Sequence, residues 1–318
     1  MTTSVAFLSR HERFRSVPST NDIVRSWLIA GTAEVCLAVA GEQTVGRGRS
    51  GRSWVAPSGA ALLLSLGFRP GYLAADRLWR LAAVVSLAMA DAAEEVVGLA
   101  VGRLRLKWPN DIVVEMTGAT SVAAASGTTS SGTTSSGTPS SGTPSSGAAA
   151  GRLRKVAGVL GETEGAGTAD PLAIVGIGIN ADWPPARFPA ELAGSMTSLR
   201  EVSGGRPIDI DQLLDAFLVR LEPRVLALRD GHFDVAGWHD RQVTTGRMVR
   251  LEGSGGEAES VRAVGVDGAT GALLVEDPAA PGGEREVLAG EVVHVRLAAG
   301  GEITELRSPA PGRPGVTP

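Results

Sequence analysis

Between Ser19 and Gly31 the apolar residues Ile23, Val24, Trp27 and Leu28 recur at helical spacing, which places them on one face of a short helix. Ser19 or Thr20 is suited to cap its start and Gly31 to end it. The runs "EVCLAVA", "GAALLLSLGF" and "PLAIVGIGIN" are continuous, short and β-branched or aliphatic, and predict strands buried on both faces. "LAADRLWRLAAVVSLAMADAAEEVVG" predicts one long buried helix. "MTSLREV" and "DIDQLLDAFLVRLEPRVLALRDGHF" predict two more, the second bent at Pro223. "GRLRLKWPNDIVVEM" reads as strand, kink, strand, because Pro109 lacks an amide donor and disfavours helix at Trp108, while Asn110-Asp111 is turn chemistry.

"DIVVEM" and "RKVAGVLGE" predict a hairpin whose turn has been lengthened, since residues 117–151 lie between them and include the repeat "TTSSGTTSSGTPSSGTPSSG". That repeat has no apolar or charged residue with which to offset the entropy of ordering, so a disordered insertion is expected. Past residue 245, "RMVRLEG", "ESVRAVGVD", "GALLVED", "EREVLAG" and "EVVHVRL" alternate between Gly, Asp and Pro turns, the pattern of a small β-barrel. The expected fold class is α+β: a mixed sheet with flanking helices over residues 1–245, a small C-terminal β-barrel over 246–300, and a disordered Pro/Gly tail over 301–318.

Composition narrows the function. The chain has 318 residues, 43% of them hydrophobic and 20% charged, enough for a large core plus a small domain. A net charge of −4 makes any anion site local and argues against a general nucleic-acid surface. The longest apolar block, "LAAVVSLAMA", is well short of the ~20 residues that span a bilayer, so no membrane association is expected. With Cys36 alone there is no internal disulfide, which fits a cytoplasmic location; a small buried hydrophobe is the simpler reading of that thiol.

Against this mild acidity, "GEQTVGRGRSGRSW" concentrates Arg47, Arg49 and Arg52 among glycines. Glycines let successive amides turn toward one anion, and guanidiniums add bidentate charged donors. A solvated basic loop, and a loop for nucleic acid, remain the alternatives; the latter calls for interleaved aromatics, and Trp54 is the only one here. "GIGINA" matches the G-x-G-x-x-A spacing of a dinucleotide site, but Pro184 and Pro185 oppose the helix that site requires. Glycines that let a backbone or ligand approach the strand are the better explanation. In "LKWPND" and "RKVAGVL" the hairpin would bring Asp111 near Lys155, at the base of the lengthened turn. By itself that is a surface ion pair; beside an anion-binding loop it is a cation for a phosphate and a carboxylate for a proton. His11, His232, His239 and His294 show no metal-ligand spacing, and no metal site is predicted.

In order, "STN", "GRGRSGRSW", "KWPND", "KVAGVL" and "GIGIN" resemble the biotin protein ligases, over Ser19 to Asn180 for the catalytic domain. The resemblance implies a class II synthetase-like catalytic domain and an SH3-like C-terminal barrel. It implies joining of biotin to ATP as biotinyl-5′-AMP, then transfer to a lysine of a biotin carboxyl carrier domain, with Mg2+ accompanying ATP. By the same resemblance Ser19, Thr20, Asn21, Gln43, Arg47, Gly48, Arg49 and Lys155 would meet biotin. Arg49, Arg52, Trp54, Lys107, Asn110, Asn180 and the barrel's Arg296 would meet ATP, and Lys155, Asp111 and Arg49 would carry the chemistry. Ser50 stands where many relatives have another polar or basic residue. Only eighteen residues precede Ser19, so no helix-turn-helix and no DNA binding are expected; a homodimer stays open. The rival readings are a lipoate or octanoate ligase or transferase of related fold, and a nucleic-acid-binding regulator using the Arg/Gly loop.

Overall fold

The predicted buried strands lie side by side. In the computed structural model, which describes residues 7–116, 152–253, 256–289 and the backbone of 292–297, the first sheet contains β1 (Arg10–Phe14), β2 (Cys36–Ala40), β3 (Ala61–Phe68), β4 (Leu104–Lys107), β5 (Asp111–Met116), β6 (Arg152–Glu164) and β7 (Leu172–Asn180). Its order is β1-β2-β3-β7-β6-β5-β4. Only β1 and β2 run parallel; every other neighbouring pair is antiparallel, so the sheet is mixed as expected.

Both faces of this sheet are covered, which is why its central strands are apolar without alternation. Helix α1 (Thr20–Ile29) buries Val24, Trp27 and Leu28 against Cys36, Ala38 and Ile174 on one face. On the other, α2 (Trp79–Val97) and, after the one-turn α3 (Leu199–Val202) of the "MTSLREV" run, α4 (Ile210–Arg229) pack with Leu37, Val39, Leu62, Leu64 and Leu66 in the main core. Helix α4 is a single span that includes Pro223. Ser19 takes the capping position of α1, but its side chain makes no capping bond; the Gln43 side chain receives the first amide instead.

Strands β8 (Met248–Gly253), β9 (Ala258–Val266), β10 (Leu273–Glu276), β11 (Glu284–Val287) and β12 (Val292–Leu297) form a second, antiparallel sheet in the order β11-β10-β9-β8-β12. This is the small C-terminal β domain. It is joined to the first by three hydrogen bonds to the turn after β9: Trp79 Nε1 donates to Ala269 O at 3.2 Å, Arg80 to Gly268 O at 3.0 Å, and Trp108 Nε1 to Gly271 O at 2.9 Å. The insertion expected at 117–151 and the tail expected at 301–318 lie outside the described residues.

Two elements escape the hydrophobic pattern. Strand β1, "RHERF", is held by its backbone beside β2 and alternates between half-buried and exposed side chains. The short helix α5 (Val235–Asp240) begins at an Asp234 cap, where Gly237 N–H donates to the carboxylate at 2.8 Å, and buries only Trp238.

The chain leaving α5 is fixed by a buried ion cluster. Arg241 donates to both oxygens of Glu94 at 2.7 and 2.9 Å, while Glu94 also accepts from Leu104 N–H at 2.6 Å and Gly102 N–H at 3.1 Å. Arg241 and Glu94 are 8% and 2% exposed; without Glu94 the Arg241 guanidinium keeps Asp91 and the Leu104 carbonyl, but the Leu104 and Gly102 amides lose their acceptor. Glu94→Ala is expected to lower unfolding free energy by about 3 kcal/mol or more, measured by urea denaturation.

Candidate active site

The floor of the site is a patch of strand without side chains. Gly158 on β6 lies directly opposite Gly178 on β7, and Gly176 is two residues away on the same face. A Cβ at Gly178 would sit 2.6 Å from the Trp54 indole, one at Gly158 would be 3.1 Å from the same ring, and one at Gly176 would be 2.2 Å from Asn21 Oδ1. The glycines of "GIGIN" therefore admit neighbouring side chains to the strand. No long helix follows them: Pro185–Arg187 forms a single 3-10 turn. Asn180, on the same face, donates to Thr197 O at 2.9 Å and is fully buried. Its Oδ1 and the Trp54 Nε1 are buried without a hydrogen-bond partner among the described residues.

At the start of α1 the residues of "STN" form a compact polar nest. Gln43 Oε1 accepts from Thr20 N–H at 2.8 Å and Thr20 Oγ1 at 3.1 Å. Ser65 Oγ lies 2.7 Å from Thr20 Oγ1 and donates to Asn21 Oδ1 at 2.5 Å. Asn21 Nδ2 in turn donates to Glu162 Oε2 at 2.6 Å. Ser19, Thr20, Asn21 and Ser65 are all buried, so these bonds set the nest's donors and acceptors.

The Arg/Gly segment folds as a small hairpin over this surface. Trp54 N–H donates to Gly46 O at 2.9 Å and Gly48 N–H to Arg52 O at 2.6 Å, with a 3-10 turn over Arg49–Gly51 at the tip. Ser50 and Gly51 take φ of 54° and 72° there. Arg47 faces back toward α1 and binds Asp22 with both Nη atoms, at 2.8 and 2.7 Å. Arg49 reaches the C-terminal domain, donating to Ala289 O. Burial and the neighbouring Arg52 push its guanidinium pKa down, while Asp111 acts against them. Arg52 Nε donates to Arg49 O at 3.2 Å.

Beside Trp54 stand the lysines and the carboxylate. Lys155 Nζ is 2.5 Å from Asp111 Oδ1 and 5.3 Å from the centroid of the Trp54 ring. Lys107 Nζ is 3.5 Å from Asp111 Oδ2, across the tight turn between β4 and β5. The expected Asp111–Lys155 pair forms, but not between opposed residues at the hairpin turn: Asp111 faces Gly158 and Lys155 faces Val113, with a register shift between. Burial pushes the Asp111 carboxyl up, yet the attraction of Lys155 and Lys107 outweighs it and holds the group below its ordinary value of 3.8. Asn110 uses its amide on the fold, donating to Val159 O at 2.8 Å.

The structure thus groups Ser19, Thr20, Asn21, Gln43 and Arg47 on one side of the floor, and Trp54, Lys107, Asp111 and Lys155 on the other. Arg296 falls on β12, where only the backbone is described. Ser65, Asp22 and Glu162 were not anticipated. Ser65 had a signal, as the lone hydroxyl inside "ALLLSLGF". Among the described residues no three His, Cys, Asp or Glu side chains could hold a metal, and no helix is long and apolar enough to cross a membrane.

Residues 13–180 match the model of the Biotin/lipoate A/B protein ligase family, more than half of the chain. The chain belongs to that family. Among family relatives, biotin–[acetyl-CoA-carboxylase] ligase of Mycobacterium tuberculosis is 27% identical over 260 residues, covering 81% of this chain and 78% of that protein. The enzyme of the same name from Paracoccus denitrificans is 31% identical over 192 residues, 59% of this chain and 62% of its own. In fold, the chain is similar to biotin protein ligase from Aquifex aeolicus, solved with biotin and ATP, with a TM-score of 0.65, 24% identity, and coverage of 92% of this chain and 100% of that one.

Two measurements check this geometry. Lys155→Met removes the strongest attraction on Asp111 and leaves burial, so the Asp111 pKa should rise, read by carboxyl NMR titration. Because a depressed carboxyl stabilises the fold only while ionised, the wild-type contribution is present at neutral pH and is lost as pH falls through the folded value, below 3.8. Gly178→Ala should displace Trp54 from the floor, seen as a red-shifted emission in the difference spectrum against the matching Trp54→Phe variant.

Proposed function

We propose that this protein is an ATP-dependent biotin protein ligase, which activates biotin as biotinyl-5′-AMP and transfers it to a lysine of a biotin carboxyl carrier domain. The observation that carries the reading is the placement of a neutral polar nest and a lysine–carboxylate pair on one glycine floor, beneath one arginine-bearing hairpin. The nest, Thr20, Asn21, Gln43 and Ser65, is suited to an uncharged ring with its own donors and acceptors. The lysines and Arg49 are suited to the anions, the biotin carboxylate and the phosphates of ATP. The unmet donor of Trp54 and acceptor of Asn180 suit a ligand that carries both kinds of group.

In the first step a carboxylate oxygen attacks the α-phosphorus and pyrophosphate leaves. The chief barrier is bringing like charges together, so fixed cations beside both groups are the principal catalytic resource. Lys155, already at this position, turns from Asp111 to the reacting anions. In the second step the carrier amine attacks the acyl carbon and AMP leaves. Asp111, with its pKa depressed, is a weak base while Lys155 and Lys107 hold it. Release of Lys155 toward the phosphate raises its basicity, and it then steers the incoming ammonium and takes its proton. The hairpin covers the mixed anhydride and excludes water.

The chain offers no cage of its own for magnesium among the described residues, and both Asp111 oxygens face lysines. Magnesium would therefore be held by the nucleotide phosphates and would offset their charge. The same proposal includes a class II synthetase-like catalytic domain, an SH3-like barrel for the five-stranded sheet, and Arg296 contributing to ATP. It also includes a cytoplasmic location, in keeping with a lone buried cysteine, and function without DNA. Arg47 is satisfied by a carboxylate rather than aimed outward as a nucleic-acid contact would be.

The test is a two-part assay: pyrophosphate release from ATP with biotin or lipoate, then label transfer to a carrier domain. Biotin should be used and lipoate ignored. Lys155→Ala should slow pyrophosphate release about a hundredfold or more with the fold intact. Undiminished release in that variant would remove Lys155 from the mechanism, and no biotin-dependent release by the wild type would remove the function.

A further inference from the structure

Strand β4 is the last strand of the first sheet, and its outer edge is covered by the chain that leads into the C-terminal domain. Between α5 and β8, residues 241–244 run alongside it. Leu106 N–H donates to Arg241 O at 2.7 Å, and Val243 N–H donates to Leu106 O at 2.8 Å. Two residues further on, Trp108 N–H donates to Thr244 Oγ1 at 3.0 Å, and the Trp108 indole donates to Gly271 O in the β9–β10 turn at 2.9 Å. Both Thr244 and Trp108 are buried. Linker and small domain thus end on one residue, the neighbour of Lys107.

An edge strand is ordinarily covered to keep its open amides from pairing elsewhere. The two bonds to Leu106 accomplish that. They do not call for a buried hydroxyl on the amide of the peptide joining Lys107 to Trp108. Successive side chains of a strand point to opposite faces. Trp108 joins Leu106 in the main core, and Lys107 turns to Asp111. The peptide plane held by Thr244 therefore sets the direction in which Lys107 leaves the strand. Across the turn the support is different: Asn110 exchanges two hydrogen bonds with Val159 of β6, at 2.8 and 2.9 Å. The Asp111 end is thus secured by the sheet, and the Lys107 end by the linker.

We propose that Thr244 is a positioning residue for Lys107: through the Trp108 amide it makes the placement of that lysine beside Asp111 depend on the seating of the C-terminal domain. The consequence for ATP rests on the biotin-ligase reading above; the placement of Lys107 does not. A cation fixed in direction serves an approaching phosphate without reorganising, and one on a loosened strand end does not. A residue acting in this way affects the use of ATP and leaves the polar nest, on the other wall, as it is.

The experiment compares wild type with Thr244→Val, which keeps the shape and removes the acceptor, and with Thr244→Ser, which keeps the hydroxyl. Trp79→Phe is the control: it removes a donor to the same β9–β10 turn, but from α2, which carries no site residue. Trp108→Phe removes the bond to Gly271 and decides the question if Thr244→Val does not fold, as judged by thermal melting. The readouts are the Asp111 titration by carboxyl NMR without ligand, and kcat/KM for ATP and KM for biotin in pyrophosphate release. In Thr244→Val, and likewise in Trp108→Phe, the Asp111 pKa should rise as Lys107 is released. In both, kcat/KM for ATP should fall about tenfold, with KM for biotin within about twofold of wild type. Thr244→Ser should recover both properties, and Trp79→Phe should stay within about twofold of wild type. An unmoved Asp111 titration in Thr244→Val overturns the proposal whatever the rate does, and a moved titration with undiminished kcat/KM for ATP overturns it too. So does an equal loss in Trp79→Phe, since general loosening of the domain would then account for it, and so does a failure of Thr244→Ser to recover. If the wild type releases no pyrophosphate with biotin, the functional reading fails, while the Asp111 titration still decides whether Thr244 places Lys107.

Discussion

The site depends on a local absence of side chains. Where β6 and β7 pair, Gly158, Gly176 and Gly178 leave bare backbone, and Asn21 and Trp54 come closer to it than any Cβ would permit. Asn21 brings the polar nest down from α1; Trp54 brings the arginine hairpin down from the other side. Larger residues there would still form a strand, since neighbouring positions such as Val175, Ile177 and Ile179 supply ample core. They would, however, lift both walls off the floor. Substitution at these glycines would thus disturb the site more than the fold, the usual sign of backbone exposed for close approach.

Electrostatics then separates the two walls. On the α1 side, carboxylates outnumber guanidiniums and the polar groups beneath are neutral and mutually bonded. On the β5–β6 side, Lys107 and Lys155 bracket one carboxylate, leaving a net positive locus next to an aromatic ring. A molecule with an uncharged polar head and an anionic end would bind across the floor in one direction only. The acidic net charge of the chain is compatible with this because the cations are placed locally and partly shielded from solvent, where they act over short distances.

The C-terminal sheet enters the same arrangement. Its β9–β10 turn is pinned by Trp79, Arg80 and Trp108, and Arg49 from the hairpin tip reaches Ala289. Trp108 belongs to the segment that carries Lys107 and Asp111. The small domain therefore touches both the arginine hairpin and the carboxylate turn, linking the two walls from above.

Pattern alone determined the apolar strands, the long helices, the β5–β6 hairpin and the small terminal sheet, because burial on a sheet face and helical periodicity are written directly in residue type. It also located the arginine loop, the lysine–carboxylate pair and the glycines, although a solvated loop and a surface ion pair fit the first two equally well until the neighbouring segments are in place. Strand β1 was hidden because its pairing is carried by backbone amides and its side chains are charged. Tertiary structure decided what the sequence could not: that Gln43 rather than Ser19 receives the first amide of α1, that a register shift sets Asp111 against Lys155, and that Arg47 is matched to Asp22 and Glu162. Each of these depends on distances between segments far apart in the chain, set by how the elements pack rather than by the identity of any local stretch.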